Sequence, residues 1–178
     1  MPVADERRLY EKITLEGFQS GLSWLTVLRK RERFREVFKG FDVAQVARFT
    51  DQHVERLLQD AGIIRHHGKI TAAINNAQRI CDLLDQRGPG ALAALVWQHE
   101  PAAAARPERI TPAVAATLTQ TAESVALSKA LKQLGLRFVG PTTMYALMQS
   151  MGVVNDHLEG CAFRAPVDVA RRAFVRPA

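Results

Sequence analysis

The sequence predicts an all-α single domain, and three observations carry that reading. Apolar residues recur at helical spacing along most of the 178-residue chain, alternating strand patterns are scarce, and glycine, proline and cap-forming residues interrupt the pattern every helix or so. No internal repeat and no long low-complexity segment competes with it.

Leu9, Ile13 and Phe18 mark a first helix, whose last turn Gly17 weakens by about 1 kcal/mol. Leu22 to Arg31 reads as a second, with Leu25 and Leu28 facing inward, and a short third surrounds Phe34 and Phe38 before Gly40 stops it. Asp42 and Asp51 are candidate N-caps for two short helices, one carrying Val43, Val46 and Phe49, the other Val54, Leu57 and Leu58. The run Gly62 to Ile70 is a tight connection into a helix from Lys69 towards Leu84, with Ile70, Ile74, Ala77 and Cys81 at helical spacing, and Arg87-Gly88-Pro89-Gly90 breaks it.

A short apolar helix from Leu92 to Trp97 leads into a surface loop between Pro101 and Pro112. Thr121 or Ser124 caps the next helix, which reaches Leu134 with Gly135 at its end, and Gly140-Pro141 opens another through Met148. The expected organisation is one helical domain over residues 1–163 followed by a loose basic tail over 164–178.

Composition narrows the function classes. Twenty-four Lys and Arg against 18 Asp and Glu leave +6, which favours polyanionic partners such as nucleic acid. The excess gathers at Arg29 to Lys39, at Arg65 to Lys69, and among Arg164, Arg171, Arg172 and Arg176. Two distant cysteines, Cys81 and Cys161, make no disulfide framework. No signal-peptide pattern or membrane-length apolar run is present, so the expected location is the cytoplasm. No Ser/His/Asp order, nucleotide-binding glycine loop or CxxC pair stands out.

Three constellations bear on chemistry. In Leu15-Glu16-Gly17-Phe18-Gln19-Ser20-Gly21-Leu22-Ser23-Trp24 an acid and an indole sit beside two glycines in apolar surroundings. From the residues alone Glu16 reads as a solvated helix residue and Trp24 as a core anchor; the alternative is a ligand pocket. The helix–turn–helix around Gly62 to Lys69 reads either as an ordinary turn or as a phosphate grip made of backbone N–H groups assisted by Arg65 and Lys69. His157 and Cys161, four apart, would share a face of one helical turn and suit zinc, whereas a buried Cys and a surface His is the plainer reading.

Together these segments resemble the 3-methyladenine DNA glycosylase I family from about Pro2 to Cys161. The resemblance rests on Leu15-Glu16-Gly17 through Gly21-Leu22-Ser23-Trp24, Asp60-Ala61-Gly62-Ile63-Ile64-Arg65-His66-His67-Gly68-Lys69-Ile70, Ser128-Lys129-Ala130-Leu131, and Val154-Asn155-Asp156-His157 to Cys161. It implies a helix-hairpin-helix glycosylase fold and hydrolysis of the N-glycosidic bond of methylated adenine in double-stranded DNA, with water as acceptor and no catalytic cofactor. Residue by residue, it implies that Glu16 is the catalytic and base-reading carboxylate and that Trp24 stacks on the extruded base. It further implies that Gly21 and Leu22 approach the gap in the duplex, and that Gly62, Arg65, Gly68 and Lys69 belong to the hairpin on the DNA backbone.

The family also carries a structural zinc, for which His157 and Cys161 would be half the ligand set. Its other Cys and His, and aromatic residues walling the base pocket, belong to an upstream segment that this sequence does not show. The expectation is that Met1 is an internal methionine of a longer reading frame. The runner-up function is a non-catalytic DNA-binding remnant, and a third is a zinc-held interaction domain; a monomer with no obligate protein partner is expected.

Overall fold

The computed structural model describes residues 1–178 and contains helices and turns without strands. The α-helices are α1 (Glu6–Gln19), α2 (Trp24–Arg29), α3 (Arg31–Val37), α4 (Val43–Ala47), α5 (Asp51–Gln59), α6 (His67–Arg87), α7 (Ala91–Trp97), α8 (Pro112–Thr117), α9 (Ala122–Gln133), α10 (Pro141–Ser150) and α11 (Arg164–Ala173). No helix is long and apolar enough to cross a membrane.

Helix α1 is the axis of the domain. Asp5 caps it by accepting from the Arg8 N–H, and every residue from Leu9 to Phe18 is buried, against α6, α7 and α10. A helix buried on all sides must pair the charges it carries. Glu11 accepts from the Nε atoms of Arg31 and Arg35 at 2.7 and 2.8 Å, and Lys12 pairs with Glu16. Burial alone would raise the Glu11 carboxyl, yet hydrogen bonds from Arg35 and Arg31 carry it below the usual carboxylate range. Tyr10, Phe18, Phe34, Phe38 and Phe41 form a fully buried aromatic cluster that joins α1 to α3.

Several sequence expectations need correction. The expected second and third helices are present as α2 and α3, but α2 spans only Trp24–Arg29 rather than Leu22 to Arg31, with Lys30 at φ −101°, ψ 0° as the joint between them. A helix as short as α2 buries one position, and that position is Val27; Leu25 and Leu28, expected inward, are 54% and 44% exposed. Thr50 rather than Asp51 caps α5, with the His53 ring accepting from the Thr50 N–H. Thr121 and Ser124 act together as the capping box of α9.

The expected loose tail contains α11. Its Val167 is buried, Phe174 packs on the Trp97 ring at 4.4 Å between centroids, and Arg171 and Arg176 both bond Glu100. At the other end of the chain, the Val3 N–H donates to Met151 O and the Trp97 indole N–H donates to Val3 O. This seats Met1 and Pro2 on Gly152, where a Cβ would lie 2.7 Å from their backbone atoms.

Candidate functional site

Glu16 lies one turn from the C-terminus of α1 and is 5% exposed, so it is not the solvated helix residue that its type suggests. Burial without a partner is costly for a carboxylate, and the partner is Lys12, whose Nζ stands 2.7 Å from Glu16 Oε1. The same Nζ lies 3.6 Å from the centroid of the Trp24 ring. Burial pulls the Lys12 ammonium below its ordinary pKa, opposed by the charge and hydrogen bond of Glu16. Ser23 fixes the indole by capping α2 through the Thr26 N–H, and Gly21, at φ +76°, makes the turn between the two helices.

A cavity of about 310 Å³ opens beside Glu16, lined also by Gln19, Ser20, Gly21, Leu22, Thr142, Thr143 and Ala146. That volume lies at the small end of ligand pockets, about 300–1,000 Å³. Gly21 and Leu22 are exposed on its rim, Leu22 by 41%. Trp24 does not line this cavity; its ring meets Glu16 through the intervening Lys12 ammonium.

The turn between α5 and α6 departs from its expected role at two positions. Lys69 is turned inward, with Nζ donating to the backbone oxygens of Phe18 at 2.9 Å and Ser20 at 2.5 Å. It thereby satisfies carbonyls at the end of α1 and holds the segment that carries Gly21, which removes it from the surface. Its own N–H donates to the His66 ring, and the Gly62 N–H donates to Asp60 Oδ1, so neither backbone donor is free for a phosphate. A Cβ at Gly62 would come within 2.6 Å of Arg33 Cγ, which accounts for the glycine by packing. Arg65 remains exposed without an ion pair, and Gly68 is half-buried.

Half of the basic residues from Arg29 to Lys39 are ion-paired. Arg31, Arg33 and Arg35 pair with Glu11, with Asp60 and Glu36, and with Glu11 and Glu32, while Lys30 donates to Ala61 O.

A second helix–turn–helix, α9 to α10, has the helices that the sequence marks, but the sequence analysis gave its turn no functional role. Its turn is anchored to α6, where Asn75 donates to Gly135 O and Asn76 exchanges two hydrogen bonds with Arg137. Phe138 holds a left-handed backbone, φ +56°, and is 39% exposed. Helix α10 starts without a side-chain cap, and its first residues border both the Glu16 cavity and a groove lined by Ser128, Lys129 and Lys132. The signal was present in Leu134-Gly135-Leu136 and Val139-Gly140-Pro141: a glycine that ends one helix and a glycine that opens the next, with apolar residues between them.

His157 and Cys161 meet without the expected helix, since residues 155–162 are turn and loop. Cys161 Sγ and His157 Nδ1 are 3.6 Å apart, close to the edge of a tetrahedral zinc site, about 3.5 Å for bonds of about 2.3 and 2.0 Å. No group of three or more His, Cys, Asp or Glu stands together, so these two residues would need two further ligands to close a tetrahedral site.

The fold and this site define a helical base-excision domain, and the comparisons agree on the class. A family model described as methyladenine glycosylase matches residues 1–165, and the chain belongs to that family. It is 46% identical over 166 residues to DNA-3-methyladenine glycosylase 1 of Escherichia coli (strain K12), covering 90% of this chain and 84% of that one. It is 42% identical, with the same coverages, to DNA-3-methyladenine glycosylase of Haemophilus influenzae. Among solved structures, a crystal structure of 3-methyladenine DNA glycosylase I matches with TM-score 0.81 at 45% identity, over 91% of this chain and 87% of that one. The Staphylococcus aureus protein, solved to explain 3-methyladenine recognition, matches with TM-score 0.82 at 30% identity, over 92% and 85%.

Proposed function

We propose that this chain hydrolyses the N-glycosidic bond of 3-methyladenine in duplex DNA, reading the flipped base with Glu16 and Trp24. The observation that carries the reading is a buried carboxylate and an indole face that share one cation, beside a cavity at the molecular surface. N3-methylation makes the base cationic and weakens its glycosidic bond, so little catalytic push is needed and selection falls to the pocket. A carboxylate favours the charged base through a charge-assisted hydrogen bond, and the indole does so through its quadrupole.

Extrusion of the base costs a few kcal/mol, and the enclosed pocket must return it. Leu22, exposed on the cavity rim, is placed to fill the gap left in the stack. The α9–α10 turn, with the uncapped start of α10 and with Lys129 and Lys132 nearby, is the helix-hairpin-helix element that holds the backbone, and Arg65 and Gly68 add contacts from the α5–α6 turn. Water is the acceptor of the sugar carbon. His157 and Cys161 would supply two ligands of the family's structural zinc.

The test is release of 3-methyladenine from methylated duplex DNA by the chain and by Glu16→Gln. The chain is expected to release the base, and the variant to lose release while keeping its salt-dependent DNA affinity. Equal release by both removes Glu16 from the mechanism; DNA binding without release by the unsubstituted chain establishes a binding remnant instead.

A further inference from the structure

Lys12 is a third member of the site that sequence reading passed over. Its side chain is 11% exposed, its Nζ is 2.7 Å from Glu16 Oε1 and 3.6 Å from the centroid of the Trp24 ring, and no other acceptor holds it. These two groups are the ones assigned to the charged base.

We propose that the Lys12 ammonium occupies the cation subsite of the free protein, so that the flipped base enters only as Lys12 leaves. The inference rests on the base-recognition reading above.

Two physical arguments support it. A pocket built for a cation would, when vacant, hold a buried carboxylate with nothing to neutralise it, and such a group costs several kcal/mol. An ammonium from the preceding helical turn removes that cost, and a cationic base then replaces it charge for charge. Lys12 also sits on a flexible four-carbon stem, so its ammonium can swing away from Glu16 by side-chain rotation without movement of α1.

Occupancy by Lys12 lowers the apparent affinity for the base by the fraction of time the subsite is open. Removing the ammonium therefore tightens binding, whereas removing a merely structural lysine only weakens it.

The experiment titrates the full chain with the 3,9-dimethyladeninium ion, whose N9 methyl stands for deoxyribose and keeps the ring cationic, followed by indole fluorescence. Lys12→Met is expected to bind the ion about tenfold or more tightly than the unsubstituted chain, the size expected if the subsite is open one-tenth of the time or less. Lys12→Gln, which keeps a neutral N–H near Glu16, is expected to shift in the same direction and decides the matter if Lys12→Met does not fold. Equal or weaker binding by the folded Lys12 variants, with binding lost in Glu16→Gln, overturns the proposal and leaves base recognition standing. Undiminished binding by Glu16→Gln overturns both, because Lys12 would then have no cation subsite to fill.

Discussion

Lys69→Met separates a buried tether from a phosphate contact. The Lys69 ammonium donates to Phe18 O and Ser20 O, and the residue is 7% exposed. A hydrogen bond from a charged donor is worth about 1.5–3 kcal/mol, so two such bonds represent about 3–6 kcal/mol. Methionine fills similar space and relieves the cost of burying the ammonium, which burial already holds below its ordinary pKa, leaving a net loss of about 2 kcal/mol. In a chain of this length that loss lowers the melting temperature by about 4–8 °C. Urea unfolding should show a lower midpoint at unchanged slope. The salt dependence of DNA affinity should keep its slope, whereas loss of one phosphate contact would reduce it by about 0.9. An unchanged urea midpoint together with that reduced salt slope would refute the tether and restore Lys69 to the DNA surface.

Two further perturbations test the frame around the site. Gly152→Ala places a Cβ 2.7 Å from the backbone of Met1 and Pro2 at a φ of +72°, so it should cost about 2 kcal/mol or more and free the N-terminal residues; calorimetry and amide exchange at Val3 would report both effects. Acid sensitivity follows from Glu11, whose folded carboxyl lies below the ordinary range. Between the two values the unfolded chain binds more protons, so stability rises with pH through that window, is complete above it and is lost as pH falls through the folded value. Glu11→Gln should flatten the acid limb of the urea midpoint measured from about pH 6 to 3, and an unchanged limb would show that Glu11 does not set it.

The sequence disclosed most of the helices because their ends are chemically marked: Asp42, Thr121, Gly135 and Gly140-Pro141 do in the structure what their types suggest. It was less informative where an element is too short for periodicity to speak, as in α2, where Leu25 and Leu28 face outward and Val27 inward. The tail misled because arginines read as solvent-facing, yet Arg171 in a docked helix and Arg176 just beyond its end converge on Glu100. At the site, Glu16 and Trp24 stood out by residue type and the turn glycine by position. The ammonium between them did not, since Lys12 is one of 24 basic residues until α1 is seen to be buried on every side. The inward turn of Lys69 was equally hidden, because only tertiary packing brings the end of α1 to the start of α6.

The most direct measurement compares dissociation constants of the chain for two small probes of similar shape, cationic 3,9-dimethyladeninium and neutral 9-methyladenine. A charge-assisted hydrogen bond exceeds a neutral one by about 1.5 kcal/mol or more, so the account predicts a preference of about tenfold to a hundredfold for the cation that collapses in Glu16→Gln. Equal affinity for the two probes, or a preference that survives Glu16→Gln, would contradict it.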